Sequence, residues 1–171
     1  MKTNNSNHVL LLVQAAMIAA LYVVLTFIAN ELGIASQAIQ VRFSEALTIL
    51  PYFTPAAIPG LYIGCLLANI LTGAALPDVV FGPVATLIGA VLTWKLCQNK
   101  TSSKIKWMAP LPPIAANAII IPPVLLYAYG IRPLWFSFVT VTIGEILSCG
   151  VLGMLLLLAL QKHRGILFPQ R

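Results

Sequence analysis

From Val9 to Ala29 the chain carries no charged side chain, and at about 1.5 Å per residue this run is long enough to cross a hydrocarbon core of about 30 Å. Lipid offers no partners to backbone N–H and C=O groups, so a spanning segment must satisfy them internally as a helix or close them into a barrel. Continuous apolar runs, rather than period-two alternation, choose helices. The rest of the chain repeats the pattern. Apolar residues make up 60% of it and charged residues 8%, against the roughly 45–50% and about 25% of soluble domains. The expected fold class is therefore an all-α integral membrane protein. With about 20 residues needed per crossing, 171 residues form a single transmembrane domain of about six spans with no room for a separate soluble enzyme.

The expected spans are 9–29, 43–54, 58–72, 79–96, 110–129 and 134–160. The first run is longer than a signal-peptide core, lacks a small-residue cleavage site after it, and is read as retained. Asn30, Glu31 and Gly33 end it. The second span, after Arg42, is short and amphipathic and is stopped by Pro51 and Pro55. Pro77 and Asp78 open the fourth as helix-start residues. Pro112, Pro113, Pro122 and Pro123 predict a kinked or broken fifth span.

Charge sets the orientation. With a cytoplasmic N-terminus and six crossings, Lys2, Lys95, Lys100, Lys104, Lys106, Lys162, Arg164 and Arg171 lie inside, leaving Arg42 and Arg132 outside. This satisfies the positive-inside rule, whereas five crossings would break it. Both termini are expected in the cytoplasm of a bacterial cell membrane. The net charge of +6 is thereby a topology signal and not a nucleic-acid footprint. Cys65, Cys97 and Cys149 have no metal-ligand or CxxC spacing and are read as small apolar fillers.

All four acids, Glu31, Glu45, Asp78 and Glu145, fall in or beside the outer halves of spans. Glu145 lies about 15 Å from the start of its span, close to mid-membrane, where a charge costs at least about 2.5–3.5 kcal/mol. It must face the protein interior, either as a structural partner of Arg42 or as a ligand contact. Arg42 and Glu45 are three residues apart and can pair with each other or line an outer mouth. Asn69 and Asn117 sit inside apolar runs, as interhelical glue or as ligand contacts. Asp78 and Glu31 read as helix caps and terminators. Tyr52, Phe53, Phe81, Tyr127, Tyr129 and Trp135 suit an interfacial belt, with one or two able to stack on a flat ligand. In the first span Ala15, Ala16, Ala19 and Ala20 form overlapping small-xxx-small pairs, which serve internal packing or docking to a partner. Catalytic, metal and cofactor motifs are absent from the sequence: there is no GxSxG, HExxH or phosphate loop. Active transport would then draw on another subunit or an ion gradient.

The runs Gln40-Val-Arg-Phe-Ser-Glu-Ala-Leu-Thr-Ile-Leu-Pro51, Gly60-Leu-Tyr-Ile-Gly-Cys-Leu-Leu-Ala-Asn69, Asp78-Val-Val-Phe-Gly82, Pro112-Pro-Ile-Ala-Ala-Asn117 and Gly144-Glu-Ile-Leu-Ser-Cys149 resemble the QueT family. Its members are substrate-binding S components of energy-coupling factor (ECF) transporters associated with queuosine precursors. The resemblance implies a six-helix bundle of the ECF S-component type, an outer pocket, an EcfT-like transmembrane coupling subunit and two EcfA-type ATPases as partners, and no enzymatic activity in this chain. It also implies that the alanine strip is a docking patch and that the substrate is a 7-deazaguanine. Group chemistry nominates Glu45, Glu145, Asn69, Asn117, Arg42 and Tyr52 as substrate-binding residues: carboxylates for a guanine's adjacent N–H donors or an aminomethyl cation, and amides for its carbonyl and ring nitrogens. The alternatives are a stand-alone secondary transporter of a small heterocycle or an S component for another vitamin-like substrate.

Overall fold

The computed structural model describes residues 2–33, 41–98 and 105–168, and among them every regular element is helical. The order is α1 (Lys2–Glu31), a 3-10 helix (Phe43–Tyr52), α2 (Ala57–Leu71), α3 (Leu76–Gln98), the short α4 (Ile105–Met108), α5 (Leu111–Tyr129), α6 (Leu134–Glu145), a π-helical segment (Ile146–Leu152), α7 (Gly153–Gln161) and the short α8 (Arg164–Leu167). Four stretches, His8–Glu31, Leu76–Gln98, Ile105–Tyr129 and Leu134–Gln161, are long and apolar enough to cross a membrane. The expected second and third spans are shorter elements, so the count of six crossings depends on the 3-10 helix and α2. Leu12, Leu76 and Leu155 stand exposed on the outside, as a lipid-facing surface requires. Much of the basic loop used to orient the chain, with Lys100 and Lys104, lies outside the described residues, as do Gln40 and Arg171.

Three expectations about regularity are corrected. The second element is a 3-10 helix rather than an α-helix, and Pro51 lies inside it. At roughly 2.0 Å per residue its ten residues cover about 20 Å, against about 15 Å as α-helix. The tighter winding lets an undersized segment run down the side of α1. The hydroxyls of Thr26 and Ser44 meet at 2.9 Å near its top, and Thr54 Oγ1 donates to Gln14 Oε1 at 2.9 Å near its foot. About 18 Å of α1 separates Thr26 from Gln14, matching the 3-10 reach. The fifth span, expected to be kinked or broken, is interrupted at Ala109 and Pro110, ahead of α5, and α5 itself continues through Pro122 and Pro123. Pro112 and Pro113 occupy its first turn, where no N–H is needed. The sixth span is continuous from α6 to α7 but widens into the π segment directly after Glu145.

Glycine sets the packing of the regular helices. A methyl group built on Gly60 would lie 2.7 Å from the Ala15 carbonyl oxygen, and one on Gly64 would lie 2.7 Å from Tyr22 Cβ and 3.0 Å from Ala19 Cα. The backbones of α1 and α2 therefore touch, as small-xxx-small pairs permit in lipid. Gly89 of α3 does the same for α5, where its methyl would sit 2.7 Å from Pro113 Cα. At the foot of the bundle the chain end folds back. Phe168 stacks on Phe53 at 5.1 Å between centroids, and Gln14 Nε2 donates to the Leu167 carbonyl at 3.1 Å.

Candidate functional site

The 3-10 helix and the π segment pack against each other inside the regular helices and bring the two deepest acids together. Glu45 and Glu145 are both buried, and their carboxylate oxygens and the Cys149 sulfur lie within 4.8 Å of one another. Tyr22, from the middle of α1, donates its hydroxyl to Glu45 Oε1. Asn117 of α5 reaches Glu45 Oε2 at 3.5 Å, a long contact. Cys149 donates toward Glu145 Oε2 at 3.1 Å. Ser148 Oγ accepts from the Arg42 backbone N–H at 3.1 Å. Buried polar groups in lipid need partners of this kind, and the cluster supplies them from α1, α5, the 3-10 helix and the π segment.

Two cavities adjoin this cluster. The inner one, about 20 Å³, is lined by Arg42, Glu45, Thr86, Asn117 and Glu145, with Cys65 at its side. It has room for about one water molecule. The outer one, about 360 Å³, is lined by Thr26, Asn30, Arg42, Asn69, Asp78 and Tyr129, a volume at the small end of the roughly 300–1,000 Å³ typical of ligand sites. Arg42 lines both and is the link between them. Around the outer cavity Asn69 Nδ2 donates to the Asp78 carbonyl at 2.9 Å, and Tyr129 donates to Asp78 Oδ2 at 2.6 Å. These bonds tie the end of α2 and the start of α3 to the end of α5.

Arg42, Glu45, Asn117 and Glu145 thus gather at the inner cavity, while Asn69 joins Arg42 at the outer one. Tyr52 lines neither; it packs edge-to-face on Phe53 at 4.9 Å in the hydrophobic core. A 3-10 rise of roughly 2.0 Å per residue carries it about 14 Å down the helix from Glu45. The alanine strip divides. Ala15 and Ala19 are taken up by the contact with Gly60 and Gly64, whereas Ala16 and Ala20 are exposed. Sequence reasoning passed over Tyr22 and Cys149. Tyr22 could have been flagged as a tyrosine too deep in its span for an interfacial belt, and Cys149 as the residue one helical turn beyond Glu145. Cys149 is a member of the polar cluster and not the apolar filler expected. Asp78 is in the first turn of α3, as a helix-start residue should be, but it also lines the outer cavity.

Comparison with known proteins identifies the family. A curated protein of Lactococcus lactis subsp. cremoris (strain MG1363), named queuosine precursor transporter QueT, is 36% identical over 77 residues, a match covering 45% of this chain and 45% of that relative. No solved structure matches the chain significantly. A family model described as QueT transporter matches residues 12–162. Spanning the bulk of the sequence, from α1 through α7, that match shows that the chain belongs to the QueT transporter family.

Proposed function

We propose that this chain captures a queuosine precursor, a 7-deazaguanine, at the outer face of the membrane and passes it on for ATP-driven uptake as the S component of an ECF-type importer. The observation that carries the reading is the buried Glu45–Asn117–Glu145 cluster, joined through Arg42 to a 360 Å³ cavity of ligand size. The family and the name of the Lactococcus relative support the substrate class.

The carboxylates have different spare capacity. Glu45 has a phenol on one oxygen, while Glu145 receives a thiol, a weaker donor, and the Asn117 amide is shared between the two. Glu145 is the better acceptor for a ligand's cation, with Glu45 held ready for the donor edge of the heterocycle. The inner cavity holds only a water-sized volume, so a heterocycle entering from the outer cavity reaches both acids only when the walls of the inner cavity, built by Arg42 and Glu45 with α2, α3, α5 and α6, move apart.

In this reading the 3-10 helix and α2 complete six crossings, both termini are cytoplasmic, and the exposed Ala16 and Ala20 face an EcfT-like subunit that works with two EcfA-type ATPases. The purified chain alone should bind 7-aminomethyl-7-deazaguanine in calorimetry, and proteoliposomes should accumulate it only when the coupling subunit and ATPases are added. Accumulation by this chain alone, driven by an ion gradient, would replace the reading with a secondary transporter; saturable binding of a different heterocycle in its place would reassign the substrate.

A further inference from the structure

Cys149 stands at a crossing point that the cluster's chemistry does not yet explain. Its sulfur is 3.1 Å from Glu145 Oε2, 3.2 Å from the Glu45 backbone carbonyl and 3.1 Å from Thr48 Oγ1, and the side chain is fully buried. A thiol has one proton to give. The Glu45 carbonyl already accepts from Thr48 Oγ1 at 2.6 Å, which commits the threonine proton there. A carboxylate is the strongest acceptor of the three, so the thiol proton is directed to Glu145 Oε2. The sulfur then rests against the backbone of Glu45. One side chain thereby fixes where the Glu145 carboxylate stands relative to the residue that carries the other carboxylate.

Tyr22 and Asn117 place the Glu45 carboxylate from the other side, while Cys149 ties Glu145 to the Glu45 backbone. Ser148, the preceding residue, holds the Arg42 N–H. The π turns place both Ser148 and Cys149, neighbours in sequence, in the buried seam with the 3-10 helix. A π segment inside an α-helix is rare and is frequently found at functional sites. Cys149 does not line either cavity, so it acts on a ligand only through Glu145.

We propose that Cys149 is a positioning residue which sets the Glu45–Glu145 separation and so determines how strongly the site prefers a cationic ligand over a neutral one of the same ring system. This rests on the reading of the cluster as the substrate site. The test compares wild type, Cys149→Ala and Cys149→Ser in the purified full chain, with calorimetric titration of 7-aminomethyl-7-deazaguanine and of the neutral 7-cyano-7-deazaguanine, and a melting temperature for each.

Loss of the donor in Cys149→Ala should weaken the aminomethyl ligand about tenfold, as expected for a hydrogen bond to a charged group, and the cyano ligand less than about threefold. Cys149→Ser, which keeps a donor, should recover most of the difference. Equal losses for both ligands, no loss for either, or failure of serine to rescue would each overturn the positioning role. Wild type that binds neither ligand would instead overturn the substrate reading itself, a result distinct from every outcome that removes Cys149 alone.

Discussion

Two kinds of helix contact in this molecule are built on opposite terms. Where α2 meets α1 and α3 meets α5, regular helices are pressed backbone to backbone at Gly60, Gly64 and Gly89, with no side chain that can move aside. Where the 3-10 helix meets the π segment, one partner is wound tighter than an α-helix and the other wider, and the polar contacts are made by hydroxyls, a thiol and backbone groups. Irregular helix has poorer hydrogen-bond geometry and is kept to short runs. Its use here, beside both buried glutamates, separates the molecule into a frame that maintains the bundle and a seam that, on the proposed function, faces the ligand. Substitutions in the frame should therefore be read first as stability, and substitutions in the seam first as affinity.

The largest effect is expected in the frame. Gly64→Leu puts a branched side chain where even a Cβ would be 2.7 Å from Tyr22 Cβ, an atom fixed to the α1 backbone. Overpacking of this kind costs about 3 kcal/mol, and the melting temperature and folded yield in detergent should both fall sharply. A Gly64→Leu variant that melts like wild type would mean that α1 and α2 slide freely, and the frame would lose its distinction.

Next comes Glu145→Gln in the seam. The amide keeps the size but loses the charge, and affinity for 7-aminomethyl-7-deazaguanine should fall ten- to a hundredfold, equivalent to about 1.5–3 kcal/mol. Melting temperature should hold or rise, because a neutral amide is cheaper to bury than a carboxylate. Unchanged affinity with altered stability would make Glu145 a structural acid and leave Glu45 as the ligand's acceptor.

The two regions were unequally legible in the sequence. Glu45, Glu145, Asn69 and Asn117 stand out because ionised and amide side chains in apolar runs are expensive, so their presence alone demands a partner. Tyr22 and Cys149 do not stand out, since both residue types are at home in apolar runs and betray a polar role only through neighbours from other helices. The division of the alanine strip was equally hidden. Ala15 and Ala16 are equivalent by spacing, and only the position of Gly60 and Gly64 across the interface decides which face is consumed. The 3-10 and π windings left no trace because over two or three turns a tighter or wider period cannot be told from that of an α-helix. Pro51 pointed to a helix stop, and the helix does end one residue after it, at Tyr52, though wound more tightly than expected. Tyr52 was nominated for its aromatic ring, and its distance from Glu45 follows from the winding that could not be seen.

Tyr22→Phe tests the bond between frame and seam. The ring stays packed in α1 while the donor to Glu45 Oε1 is lost. Asn117 remains near the other oxygen, so the carboxylate is weakened in its placement and not abandoned. Affinity for the aminomethyl ligand should drop about fivefold, near 1 kcal/mol, with little change in melting temperature. A large fall in melting temperature would assign the tyrosine hydroxyl to the frame.

The smallest effect should come from Gly153→Ala, and it sharpens the comparison because it repeats the glycine test at the edge of the seam, where α7 leaves the π segment against the 3-10 helix. The added methyl would meet Ile49 Cγ2 at 3.1 Å and the Ala46 carbonyl at 3.4 Å. The first is the end of a side chain that can turn by a few tenths of an ångström, and the second is ordinary contact. Gly153 has helical backbone angles, φ −62° and ψ −42°, so alanine also removes the roughly 0.5–1 kcal/mol that glycine costs within a helix. The two terms nearly cancel. Melting temperature should stay within a few degrees of wild type, while a slight displacement of Ile49 along the 3-10 helix should change ligand affinity no more than about twofold. Should Gly153→Ala melt the protein as severely as Gly64→Leu, the seam would be as tightly pressed as the frame, and entry of a ligand between Glu45 and Glu145 would have to come from movement of α5 and Asn117 instead.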